Sequence, residues 1–301
     1  MTHEELERLN YRILPCEESD LEYIEEQFGV NEDTVAPPRP DAESAKIVLK
    51  IVDETGSVLA GSVTWTSNWD VAEFGILWVD ERFRKHGYGS ALLWETERQA
   101  KALGCYLITL DTCDFQAKPF YEKHGYTLCG TSENVPRGHC DHIMMKRLDA
   151  PVGSSLLSEV DSAAIPAILS GTEEDAKFLG RMLGDYNLAQ APESYDDTYV
   201  SLGKKITDER GTLIAACDAY IGGLHSLGVC LWVEEPYRNQ GIGSCLLRRI
   251  ESEAKKQGAY IAEIEIGDWQ LNFFQKNGYI ICATIEDFPR GHCRYIMTKE
   301  L

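Results

Sequence analysis

No stretch of the chain approaches the roughly 18 consecutive apolar residues that a membrane-crossing helix requires. The opening residues, Met1-Thr2-His3-Glu4-Glu5-Leu6-Glu7, are acidic and lack the basic and apolar regions of a secretory signal. Basic side chains are also few: Lys and Arg total 29 against 49 Asp and Glu, a formal charge of −20. That surplus repels phosphate backbones and anionic lipid, so neither nucleic acid nor a membrane is expected as a partner. The ten cysteines include no C-x-x-C pair and are scattered, many within apolar strand-like or helical runs. Free thiols in a reducing cytoplasm are therefore expected. What the chain does have is ordinary globular content, 44% hydrophobic and 26% charged, over 301 residues. That length holds two domains of about 150 residues each.

An internal repeat explains the length. Leu77-Trp78-Val79 recurs as Leu231-Trp232-Val233, and Arg84-Lys85-His86-Gly87-Tyr88-Gly89-Ser90 recurs as Arg238-Asn239-Gln240-Gly241-Ile242-Gly243-Ser244, both at an offset of 154. Gly125-Tyr126 returns as Gly278-Tyr279, and Pro136-Arg137-Gly138-His139-Cys140 as Pro289-Arg290-Gly291-His292-Cys293, both at 153. The unit is too long for a solenoid repeat of 20–50 residues and reads as one domain duplicated. The expected division is a first domain over residues 1–149, a linker over 150–162, and a second domain over 163–301. Pro, Gly and Ser cluster in Asp149-Ala150-Pro151-Val152-Gly153-Ser154-Ser155, at the start of that linker.

Within the first copy the patterns predict a strand over Tyr11–Leu14 and an acidic helix over Glu18–Phe28. A hairpin follows over Ile47–Val52 and Val58–Thr66, then a strand over Val71–Val79. From Gly87 to Leu103 the positions Leu92, Leu93, Thr96 and Ala100 share one helical face, which Leu246, Leu247, Ile250 and Ala254 keep in the second copy. A buried strand over Tyr106–Leu110, a short helix over Gln116–Lys123 and two closing strands near Thr127–Thr131 and His142–Arg147 complete the unit. The class is a mixed α/β fold around one central sheet, present twice.

The segment richest in chemistry runs from a strand through Arg84-Lys85-His86-Gly87-Tyr88-Gly89 into a helix. Glycines let backbone approach a ligand closely, and a helix's first turn presents unpaired N–H groups at its positive end. The combination suits a pyrophosphate. It is neither the G-x-x-x-x-G-K-[ST] loop nor the G-x-G-x-x-G of dinucleotide folds. Both copies keep Arg-x-x-Gly-x-Gly-Ser, which a simple tight turn would not demand.

A strand ending Leu-Trp-Val, this loop and helix, a further strand, and then Phe120-Tyr121-Glu122-Lys123-His124-Gly125-Tyr126 together resemble the GNAT superfamily of N-acetyltransferases. The likeness is strongest over residues 71–147 and 225–300. It implies tandem GNAT folds with acetyl-CoA as donor and no metal. It places the pantetheine arm against Leu77, Trp78 and Val79 and the pyrophosphate on Arg84, Lys85, His86, Gly87, Tyr88, Gly89 and Ser90. In the second half the corresponding contacts are Leu231, Trp232 and Val233, and Arg238, Asn239, Gln240, Gly241, Ile242, Gly243 and Ser244.

Acetyl transfer to an amine requires that the ammonium lose a proton and the leaving thiolate gain one. The resemblance assigns these tasks to Glu73, eleven residues before Arg84, as base and to Tyr121 as acid. Counting the same way from Arg238 gives Leu227, and Phe274 stands opposite Tyr121. Neither can move a proton. The first half is therefore expected to catalyse and the second to bind acetyl-CoA at most, with His225 weighed as a substitute base. His139, Cys140 and His142 do not make a zinc site, because the second copy keeps only His292 and Cys293 before Arg294. A turn between closing strands, or a loop touching the acceptor, is the expectation for that motif.

Residues 1–43 hold 13 acidic and 3 basic side chains, half of the net charge. In similar enzymes the first helices frame the acceptor opening, so an acidic rim there favours a small cationic amine. Acetylation of protein amines, an O-acetyltransferase and an acetyl-CoA-sensing regulatory module are the alternatives. A monomer or a homodimer is expected.

Overall fold

A computed structural model describes residues 11–40, 44–150, 166–192, 199–222 and 226–301. The first half contains strand β1 (Arg12–Pro15), helix α1 (Glu18–Val35), and strands β2 (Ala45–Val52), β3 (Val58–Thr66) and β4 (Val71–Val79). Helix α2 (Tyr88–Ala102), strand β5 (Leu107–Cys113), helix α3 (Lys118–Lys123) and strands β6 (Thr127–Glu133) and β7 (Cys140–Arg147) follow. The second half opens with β8 (Ile168–Ser170), α4 (Glu173–Gln190), β9 (Val200–Ser201), β10 (Lys204–Thr207), β11 (Leu213–Ile221) and β12 (Ser226–Val233). It closes with α5 (Ile242–Lys256), β13 (Ile261–Gly267), α6 (Leu271–Lys276), β14 (Ile280–Glu286) and β15 (Cys293–Glu300).

The strands form one continuous sheet in the order β1-β10-β11-β12-β13-β15-β14-β6-β7-β5-β4-β3-β2-β8, with β9 pairing to β11. The halves meet where β14 pairs with β6 at Ala283 and Gly130. A Cβ on Gly130 would fall on the Cys282 carbonyl and Ala283, so only glycine allows this approach. Two large apolar cores lie one in each half, under α2 and under α5. A third core at the seam joins Val71, Tyr106, Leu107 and Ile143 to Ala283, Ile285, Phe288 and Ile296.

The first strand and helix of each half sit on the sheet of the other. β1 pairs antiparallel with β10, and α1 packs over β11 and β12, with Asp20 held 2.7 Å from Lys205. Reciprocally, β8 pairs with β2, and α4 packs over β2, β3 and β4. Thr172 and Asp175 cap α4 mutually, and Asp175 also meets Lys50 of β2 at 2.8 Å. The acidic helix expected to frame the first half's acceptor opening is therefore on the second half, because its leading strand hydrogen-bonds there. Of the linker 150–162, all but Ala150 lie outside the described residues.

Candidate active site

β4 and β5 run parallel and pair only through Val71–Glu73 and Leu107–Thr109, after which they diverge. A cavity of about 730 Å³ fills the gap. Its walls include Leu77, Trp78 and Val79 of β4, the whole Arg84–Ser90 loop, Asp111 and Thr112 of β5, and Tyr121 of α3. Leu183 and Tyr186 of α4 close one side, so the exchanged helix walls the first half's cavity. The Tyr186 hydroxyl donates to the Phe115 carbonyl at 3.0 Å, Gln116 reaches Asn187 at 2.8 Å, and Trp78 meets Phe178 edge to face.

The loop is built as its glycines require. Lys85 (φ 65°) and Gly87 (φ 86°) both take left-handed backbone, and Gly87 caps α2. The first intrahelical bond runs from Ala91 to the Gly87 carbonyl, leaving the amides of Tyr88, Gly89 and Ser90 without helical partners at the cavity wall. Arg84 is anchored through its Nε to the Val79 carbonyl and lies over the Tyr186 ring. His124 bridges Ser90 Oγ (2.9 Å) and the Phe120 carbonyl (2.7 Å). Since a carbonyl only accepts, Nδ1 carries a proton and donates to Phe120.

Tyr121 is buried against Phe74, Phe120 and Tyr126. Burial and the nearby Asp111 carboxylate push its hydroxyl well above the usual range, so it stays protonated. Glu73 does not line the cavity. Strand alternation turns it away from Phe74, toward the seam between the halves. There burial, Glu265 and Asp111 raise its pKa, with Arg294 opposing them.

Sequence reading missed Asp111. It stands in an apolar strand, Leu107-Ile108-Thr109-Leu110-Asp111, and burial raises its pKa. The signal was a carboxylate interrupting a buried strand, repeated as Glu265 in Ile261-Ala262-Glu263-Ile264-Glu265.

The second half keeps the cradle and changes the chemistry. Leu231, Trp232 and Val233 end β12, and Arg238–Ser244 repeats the loop with Asn239 (φ 61°) and Gly241 (φ 82°) left-handed. A Cβ on Gly243 would meet Val233 and Leu231 at 3.2 and 3.3 Å, where the equivalent on Gly89 meets Val79 and Leu77 at 3.7 and 3.8 Å. Phe274 fills Tyr121's place against Phe273 and Tyr279 without a hydroxyl.

The register corrects Leu227 as the partner of Glu73. Ser226 and Leu227 pair with Ile261 and Ala262, as Val71 and Ala72 pair with Leu107 and Ile108, so Gly228 occupies the Glu73 position. The cause is a bulge at Gly75: Val63 pairs with Ile76 and Thr64 with Phe74, whereas β11 and β12 pair without interruption. His225 lies outside the described residues.

The repeated Pro-Arg-Gly-His-Cys turns are clamps. His139 meets Asp114 at 2.9 Å and His292 meets Asp268 at 3.1 Å, tying each turn to its own half. The arginines cross over: Arg137 covers Tyr260, whose hydroxyl donates to the Asn134 carbonyl, and Arg290 covers Tyr106, whose hydroxyl donates to the Asp287 carbonyl. None of the ten cysteines forms a disulfide. Among the described residues, no group of three or more His, Cys, Asp or Glu is placed to hold a metal ion, and no helix is long and apolar enough to cross a membrane.

Both halves match known acetyltransferase families. A family model described as "Acetyltransferase (GNAT) family" matches residues 9–126, and one described as "Acetyltransferase (GNAT) domain" matches residues 199–281. Blasticidin-S acetyltransferase of Streptomyces morookaense is 35% identical over 91 residues, which is 30% of this chain and 67% of that protein. The crystal structure of an acetyltransferase from Bacillus cereus ATCC 14579 is 35% identical, covering 45% of this chain and 96% of its own, with a TM-score of 0.41. An aminoglycoside 6'-N-acetyltransferase complexed with coenzyme A is 16% identical, covering 47% and 99%, with a TM-score of 0.33.

Proposed function

Because the chain belongs to the GNAT acetyltransferase family and carries two such domains in tandem, we propose that its first half is the working centre of an acetyl-CoA-dependent N-acetyltransferase for a small cationic amine. The observation that carries this reading is one cavity lined by the glycine loop, the start of α2, Tyr121 and Asp111.

The loop amides and the positive end of α2 would take the pyrophosphate, and Leu77–Val79 would flank the pantetheine arm where β4 diverges from β5. The thioester then lies in the cleft near Tyr121. Glu73, on the seam side, accepts the proton of the acceptor ammonium, directly or through water. The freed amine attacks the thioester carbonyl, the tetrahedral adduct expels the thiolate, the Tyr121 hydroxyl protonates it, and the tyrosinate takes up the second proton that the nitrogen releases as the amide forms. The bulge at Gly75 leaves backbone unpaired beside the cleft, where an N–H can stabilise the oxyanion. The second half, with Gly228 and Phe274 at the two proton-moving positions, supports the fold and binds acetyl-CoA at most.

The relative named for blasticidin-S supports a small-molecule acceptor over a protein amine. The test is thiol release from acetyl-CoA across a panel of amines, with Tyr121→Phe and Phe274→Tyr as paired variants. Tyr121→Phe is expected to lower kcat by about 10²-fold or more. Phe274→Tyr is expected to add nothing, since Gly228 still offers no base. Full turnover by Tyr121→Phe would overturn the assignment.

A further inference from the structure

The two halves differ at one further pair of equivalent positions. On β13 and β15, Glu265 and Arg294 are diagonal neighbours on one sheet face, and Arg294 Nε lies 3.5 Å from Glu265 Oε1. The guanidinium also approaches Glu32 of α1 at 3.6 Å and stacks between Trp69 and Phe288. At the repeat offsets, Asp111 corresponds to Glu265 and Asp141 to Arg294, in the same diagonal relation on β5 and β7. Where the second half pairs a carboxylate with a cation, the first half sets two carboxylates together.

The neighbours change in step. Beside Arg294 in the register stands Ile285, but beside Asp141 stands Ser132. Ser132 is fully buried and its hydroxyl, which faces Glu263 of β13, has no hydrogen-bond partner of good geometry. Asp141 Oδ1 and Glu263 Oε2 are likewise buried without partners. Burial together with Asp111 and Glu263 pushes the Asp141 carboxyl up to about 8. Asp111 beside them lines the donor cavity, and the Glu265 side chain keeps 53% of its surface exposed. Ser132, Asp141 and Glu263, from β6, β7 and β13, thus gather beside Asp111, one of them supplied by the other half.

We infer that Asp111, Asp141 and Glu263, with Ser132, bind a guanidinium or ammonium group of the acceptor, in the place that Arg294 fills with its own side chain in the second half. The acceptor is then at least dicationic, with one amine delivered to the thioester and a second cation held at the seam. This rests on the acetyltransferase reading and deepens it by giving the second half a part in specificity.

Agmatine, n-butylamine and calcium chloride are the probes. Without acetyl-CoA, agmatine is expected to raise the Tm of the full chain, and n-butylamine at equal concentration to raise it far less. Asp141→Asn and Glu263→Gln are each expected to remove the agmatine effect, and Asp141→Glu to restore part of it. Asp141→Arg, which copies the second half, is expected to raise the Tm with no ligand present. In turnover, Asp141→Asn is expected to reduce the agmatine-to-butylamine ratio of kcat/KM by about tenfold or more, the loss of roughly 1.4 kcal/mol. Equal responses to agmatine and n-butylamine, or a calcium effect as large as agmatine's and equally lost in Asp141→Asn, would overturn the inference. Agmatine binding without thiol release would leave this site standing and remove the reaction. Thiol release from both amines without any preference would do the reverse.

Discussion

At the scale of single residues, two carboxylates carry opposite consequences of burial. As the proposed base, Glu73 must be ionised to accept a proton, and burial, with Glu265 and Asp111, raises its pKa above the ordinary 4.5. The rate should therefore climb with pH through that raised value, and Glu73→Gln should abolish this acidic limb and lower kcat by about 10²–10⁴-fold in a pH–rate profile. Asp141 matters for stability instead. Its folded pKa, about 8, exceeds the ordinary 3.8, so the fold favours its protonated form. That stabilisation is present at low pH and is lost as pH rises through the folded value, because the new charge is buried and faces Asp111 and Glu263, and the backbone of His142 and Thr112 offsets only part of this. Calorimetry should show the Tm falling as pH rises toward and through about 8, and Asp141→Asn should flatten that fall. Tyr121 was legible in the sequence from its motif, and Phe274 likewise. Asp111 was overlooked because a lone carboxylate in an apolar strand looks like an interruption until the neighbouring strands show what it faces.

Among the elements, the β4 bulge and the glycine loop divide the labour. Gly87 holds left-handed backbone at the cap of α2, a conformation that costs a non-glycine residue about 1 kcal/mol or more. Gly87→Ala should weaken acetyl-CoA binding several-fold by calorimetric titration, with a smaller loss of Tm. The order of strands and helices within a half follows from periodicity and turn residues, and Val58–Thr66 and Val71–Val79 stand where the pattern puts them. The bulge did not show, because one extra residue in Phe74-Gly75-Ile76 leaves the hydrophobic pattern nearly intact while shifting every position before it. That single step is why residue counting from Arg238 reached Leu227 when the strand pairing reaches Gly228.

For the molecule as a whole, the exchange of β1–α1 for β8–α4 was hidden from sequence because both copies begin with a similar strand and helix. Which sheet each joins is decided by long-range pairing, Arg12–Pro15 with Lys204–Thr207 and Ile168–Ser170 with Leu49–Ile51. A chain cut within residues 151–165 should stay associated and keep one unfolding transition. Residues 1–150 expressed alone should fail to unfold cooperatively in urea, having lost the strand and helix that cover β2–β4. Arg137→Ala and Arg290→Ala should each loosen the seam by about 0.5–2 kcal/mol, seen as a lower midpoint with unchanged slope. Leu183 and Tyr186 give the exchange one more meaning. They wall the cavity of the half that carries Tyr121, yet they are encoded with the half that carries Phe274 in its place. A duplicate without proton-moving residues would ordinarily be free to erode or be deleted. Here its leading helix completes the cavity of its twin, so deleting the second half would open the proposed working centre of the first.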